Sequence, residues 1–189
     1  MRRLTPVALL FFLVTCWAAP RAWSAEPPHQ EPPQAQPVNL VEITERLHTA
    51  GQPTPQQLDA LASQGYRLVI NLAPAEAAGA VADEGARLAR AGIGYINIPV
   101  SQDHPDVGEF ELFSAIMNTA TDRKVLVHCL SNKRASLFTF LYRTVYAGID
   151  PNDAWENVIT IWQPDKPWLE LAQLVLQQHA IDFTPLPSE

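Results

Sequence analysis

Apolar side chains run along the chain in two alternating textures. Runs rich in apolar residues at 66–72 and 124–128 read as short strands, of the kind buried on both faces of a sheet. A run at 43–50 and another at 93–100 read as further strands, the first closed by the turn Gly51-Gln52-Pro53. Between them the spacing changes to that of helices. Thr54, Pro55 and Gln57 write a capping box with proline at the first helical position, and Gly65 marks a stop. An alanine-rich stretch predicts a helix over 76–91, closed by Gly92. Val107, Phe110, Phe113, Ile116 and Met117 predict another over 107–119. Helices are predicted over 134–146, over 151–162 with Asp150 as cap, and over 167–179.

Strands alternating with helices predict an α/β fold: a three-layer sandwich with a central, mostly parallel sheet of four or five strands flanked by helices. In such a sheet, ligands bind beyond the carboxyl ends of the strands. Trp155 and Trp162 are seven residues apart, and on one continuous helix they would share a face, as core packing would require.

The pattern bounds this domain to residues 40–183, with a short tail at 184–189. Before it, Arg2 and Arg3 precede about 13 mostly apolar residues, too few for a membrane span of ~20. Small residues follow, so 1–25 reads as a cleaved secretory signal and the protein as exported, to the periplasm. An uncleaved anchor and a lipid-modified Cys16 are the alternatives. Residues 26–39 open with EPPHQEPPQAQP. They carry no large apolar side chain before Val38 and read as a proline-rich, disordered tether.

Removing the signal takes three of the 13 basic residues and leaves a net charge of about −10, which argues against nucleic acid as a partner. It also takes Cys16, so Cys129 stands alone in an oxidising compartment, where a free thiol reads either as reactive or as a buried core residue. The five histidines lack metal-ligand spacing, and no cofactor is implied.

Cys129 ends the strand at 124–128, and a helix begins five residues later at Arg134. A tight loop between them would gather the backbone amides of Leu130, Ser131, Asn132 and Lys133 at a helix N-terminus, an arrangement that binds oxyanions. Arg134 would add a planar fork for two oxygens, and the same field favours a nucleophilic thiolate. His128 would fix the passage from strand to loop, and Asn132 accepts the left-handed backbone such a loop needs.

His128-Cys129, a short loop and Arg134 at a strand end resemble the signature of protein tyrosine and dual-specificity phosphatases. The similarity extends over roughly residues 40–180. The Gly51-Gln52-Pro53 turn, the run Val69-Ile70-Asn71-Leu72 and the stretch Tyr95 to Val100 followed by Asp103-His104 resemble the compact bacterial branch. That branch includes the phosphatase-like domain of beta-lactamase hydrolase-like proteins. The resemblance implies a cofactor-free cysteine phosphatase acting on phosphorylated protein or small phosphate esters. Cys129 would be the nucleophile and Arg134 the phosphate ligand, with Asp103 as general acid and Asp106 its rival.

Departures from the family pattern are local. Four residues separate Cys129 from Arg134 where five are usual. Glycine is absent from the loop, and Ala135 replaces the hydroxyl residue after arginine, leaving Ser131 or Ser136 to assist. Four intervening residues is also the spacing of rhodanese-type sulfurtransferases, which would carry a persulfide on Cys129. A degenerate anion- or protein-binding module is the third reading.

Overall fold

The computed structural model describes residues 36–185. The signal, most of the tether and residues 186–189 of the tail lie outside the described residues. The element order is β1 (Val41–Thr44), β2 (Leu47–Ala50), α1 (Pro55–Ala60), β3 (Leu68–Asn71), α2 (Glu84–Arg90), β4 (Gly94–Asn97), α3 (Val107–Asn118), β5 (Val125–His128), α4 (Lys133–Val145), α5 (Pro151–Ile159) and α6 (Lys166–Gln178). The five strands form one sheet in the order β1-β2-β5-β3-β4. Only the β1–β2 pair is antiparallel.

The central strands β3 and β5 are buried along their whole length, as their three consecutive apolar residues require. Alternate residues feed two cores. Leu68, Ile70, Val125 and Val127 pack with α3, α4, α5 and α6. Ala50, Val69 and Leu126 pack on the other face with Leu58 of α1 and Leu88 of α2. The sandwich therefore has three layers, with α4 as the helix buried deepest. α1 begins at the expected capping box: Gln57 N–H donates to Thr54 Oγ1 at 3.2 Å and Thr54 N–H to Gln57 Oε1 at 2.8 Å. No helix of the described residues is long and apolar enough to cross a membrane.

Four expectations need correction. The strand expected over 43–50 is a hairpin, because Thr44 Oγ1 accepts from the N–H groups of Arg46 and Leu47 and turns the chain. The helix expected over 76–91 is formed only at Glu84–Arg90. Residues 74–83 are turns around Gly79, which has φ +94°. Alanine propensity alone does not hold a helix without a large apolar face to pack. The strand expected over 93–100 is regular only at Gly94–Asn97. Trp155 and Trp162 do not share a helix, since α5 ends at Ile159. Trp155 packs on Phe140, whereas Trp162 packs on Trp168.

Between α1 and the hairpin edge lies a cavity of about 340 Å³, lined in part by Glu42, His48, Tyr66 and Lys124. His48 Nδ1 is 2.6 Å from the Tyr66 hydroxyl. Burial, and then the charge of Glu42, pushes the Tyr66 phenol up to about 12.

Candidate active site

β5 carries Cys129 to the carboxyl edge of the sheet, and the chain after it is held from the side by β2 and the Gly51 turn. Cys129 N–H donates to Ala50 O at 3.3 Å and Gln52 N–H to Leu130 O at 3.1 Å. Gly51 pairs with Ser131 across an isolated bridge. A Cβ at position 51 would stand 2.9 Å from Leu130 O and 3.0 Å from Val38 O, so only glycine lets the two segments approach this closely. Asn39 also reaches the loop, its side-chain amide donating to Ser131 O at 3.1 Å. Val38 and Asn39, read from sequence as tether, thus belong to the framework of the loop.

Asn132 takes the left-handed conformation at φ 69° and ψ 0°, directly before α4. Its side-chain amide donates to Asn39 O at 2.6 Å and to Thr49 Oγ1 at 3.0 Å, which clamps the turn to the hairpin. No backbone carbonyl of the described residues accepts from the N–H groups of Leu130, Ser131, Lys133 or Arg134.

Arg134 lies in the first turn of α4 and is 5% exposed. One terminal nitrogen, Nη1, donates to Val100 O at 2.9 Å and Leu72 O at 3.4 Å. These bonds tie the guanidinium to the chain after β3 and to the start of the loop at 101–106. Arg134 Nε is buried without a partner. A buried cationic N–H left unpaired is costly, and an oxyanion at the loop would satisfy it. Cys129 is 1% exposed and forms no disulfide. Ser136 sits one turn into α4, donating to Lys133 O at 2.9 Å and accepting from Trp162 Nε1 at 3.3 Å. Lys133 is exposed, its ammonium 5.4 Å from the Trp162 ring.

The two candidate acids are placed differently. Asp106 caps α3: its Oδ1 accepts from Gly108 N–H at 2.7 Å, and its own N–H donates to Glu109 Oε2. Asp103 is exposed, and its side chain has no hydrogen-bond partner among the described residues. It lines an open groove of about 460 Å³ that runs to Pro167, Glu170 and Leu174 of α6, and neither Cys129 nor Arg134 lines that groove. Asp103 therefore shares a sheet edge with the cysteine loop, and the structure does not bring the three side chains into one cavity.

Behind the loop is a polar cluster that sequence reasoning missed. His128 Nε2 lies 2.9 Å from Glu84 Oε1, off the line of a ring N–H, so proximity rather than a directed hydrogen bond joins them. Asn71 Nδ2 and the Tyr95 hydroxyl donate to Glu84 Oε2 at 3.1 and 3.4 Å, and Gln52 Nε2 donates to Oε1 at 3.4 Å. His128 Nδ1 is 3.4 Å from Cys129 O, so the cluster touches the peptide of Cys129 itself. Glu84 is a charged residue on a short helix, and nothing local marks it as buried. Among the described residues no group of three or more His, Cys, Asp or Glu side chains is arranged to hold a metal.

A mostly parallel sheet whose last central strand delivers a cysteine into a loop braced by an αL turn, followed by a buried arginine, is the framework of the cysteine phosphatases. Residues 39–144 match the family model described as "Beta-lactamase hydrolase-like protein, phosphatase-like domain", and the chain belongs to that family. A candidate phosphatase of the DUF442 group from Shewanella putrefaciens CN-32 is 35% identical, with a TM-score of 0.69, covering 75% of this chain and 93% of that one. The Beta-lactamase hydrolase-like protein of Xylella fastidiosa strain Temecula1 is 33% identical over 112 residues. That alignment takes in 57% of this chain and 26% of the relative, so the chain spans about a quarter of the length of the curated relative it matches. TpbA of P. aeruginosa, in a complex with phosphotyrosine, shares the fold at 22% identity and a TM-score of 0.57, covering 72% of this chain and 82% of that one.

Proposed function

We propose that the protein hydrolyses phosphate monoesters, of the phosphotyrosine or dual-specificity kind, through a cysteinyl-phosphate on Cys129. The observation that carries this reading is the buried, unpartnered Nε of Arg134, in the first turn of the helix that follows loop amides which no backbone carbonyl of the described residues engages. In the first step the Cys129 thiolate attacks phosphorus and the bond to the leaving oxygen breaks. Arg134 and the amides of 130–133 hold the charge on the equatorial oxygens. Asp103 gives its proton to the leaving oxygen, after the acid loop brings it to the cysteine. In the second step Asp103 takes a proton from water, which displaces sulfur and releases inorganic phosphate. Asp106 suits the acid's role less well, because its carboxylate already caps α3.

Membership of a phosphatase-like family supports the reaction class over sulfur transfer. Phosphotyrosine in the complex of TpbA, which has the same fold, supports the substrate kind. The leader read in the sequence supports action outside the cytoplasm, on phosphorylated protein or small phosphate esters there. The test is para-nitrophenyl phosphate hydrolysis by the full chain and by Cys129→Ser. Wild-type turnover that disappears in the variant is the expected result. Turnover unchanged in Cys129→Ser refutes the nucleophile, and thiosulfate-to-cyanide sulfur transfer without phosphatase activity refutes the reaction.

A further inference from the structure

The loop that carries Asp103 has few internal restraints. Within residues 101–105 the side chains are largely exposed; His104 N–H donates to Ser101 Oγ at 3.1 Å, and the Glu109 carboxylate of α3 accepts from the Ser101 backbone. Among the described residues, one hydrogen bond ties this stretch to an element outside the loop and the helix α3 it leads into. Trp168 Nε1 donates to Gln102 O at 2.9 Å, from the first turn of α6. Trp168 is fully buried, and its ring meets Trp162 at 6.0 Å, close to edge-on, and Phe138 of α4 at 6.1 Å. Trp162 in turn donates to Ser136, two residues beyond Arg134. Two indoles at the α5–α6 corner thus connect the start of the cysteine-loop helix with the peptide next to Asp103. The corner lies beyond the family-matched residues 39–144.

We infer that Trp168 is a positioning residue for the general acid: by anchoring Gln102 it fixes the pivot from which the loop carries Asp103 to the leaving oxygen. This rests on the phosphatase reading above. The physical argument is one of leverage. The indole is fully buried against the rings of Trp162 and Phe138, so its N–H is a fixed point. The Gln102 carbonyl it holds is one peptide from an otherwise unrestrained carboxyl. An acid acts only within hydrogen-bond reach of the oxygen it protonates, and a displacement of about 1 Å can lower a rate by roughly a hundredfold. The helices after residue 144 therefore belong to the catalytic apparatus as well as to the core.

The experiment removes the N–H and keeps an aromatic ring. Full-length Trp168→Phe is compared with wild type in kcat/KM on para-nitrophenyl phosphate, whose leaving group needs little protonation, and on phenyl phosphate, whose leaving group needs much. The expected result is a loss of about tenfold on phenyl phosphate, less than twofold on para-nitrophenyl phosphate, and unchanged vanadate affinity. Adding Trp168→Phe to Asp103→Asn should cause no further loss. Equal slowing on both substrates, or none on either, overturns the inference. If Trp168→Phe does not fold, benzothienylalanine at 168 places sulfur at the N–H position within the same bicyclic ring, and the same ratio is read. Failure of the underlying reading looks different: wild type itself then shows no Cys129-dependent turnover of either ester, which overturns both.

Discussion

Replacing Glu84 by alanine tests whether the buried cluster behind the loop holds the domain together. The carboxylate is 3% exposed and His128 beside it is fully buried. Alanine removes the acceptor from three hydrogen bonds, those of Asn71, Tyr95 and Gln52, and the close neighbour of His128 Nε2. Three bonds at about 1 kcal/mol each give about 3 kcal/mol. A buried polar group left without its partner adds to that, so the expected loss is about 3–5 kcal/mol. For a domain of this size it corresponds to a fall in Tm of roughly 6–20 °C. Glu84→Gln keeps the shape and one acceptor oxygen but turns a donor toward neighbouring donors, and should lose about 1–3 kcal/mol. Urea unfolding followed by far-UV circular dichroism measures both, with an unchanged m-value showing that the same structure unfolds. A loss below about 1 kcal/mol for Glu84→Ala at constant m would refute the cluster as a structural keystone.

Two further outcomes are expected. Gly51→Ala drives a methyl group against the backbone oxygens of Leu130 and Val38, so it should weaken vanadate binding about tenfold or more and lower stability by about 1–3 kcal/mol; affinity equal to wild type by calorimetry would show that the loop yields freely. Burial, with the nearby Lys124 ammonium second, holds the His48 pKa below its usual 6.5 despite Glu42. A depressed folded pKa gives stability that is present above pH 6.5 and lost as pH falls toward the lower value, so Tm should drop below pH 6.5 in wild type and drop less in His48→Gln; parallel curves would refute it.

Local chemistry made much of this protein legible from its sequence. The double-sided runs at 66–72 and 124–128 could only be central strands, because nothing else hides both faces of an apolar run that short. The capping box at Thr54 and the left-handed turn at Asn132 follow from the side chains at those positions and their immediate neighbours. So does the cysteine loop with its family resemblance. What the sequence could not decide were the partnerships between distant segments. Glu84, 44 residues from His128, reads as a surface charge until the sheet packs α2 against it. Val38 and Asn39 read as tether until the Gly51 turn and the cysteine loop supply their partners. Trp168 reads as core until its N–H meets Gln102. Helix 76–91 failed for the converse reason: its alanines have local propensity but no tertiary surface to bury. Propensity and capping are local free energies written in neighbouring residues, whereas burial and pairing depend on which segments the whole fold brings together.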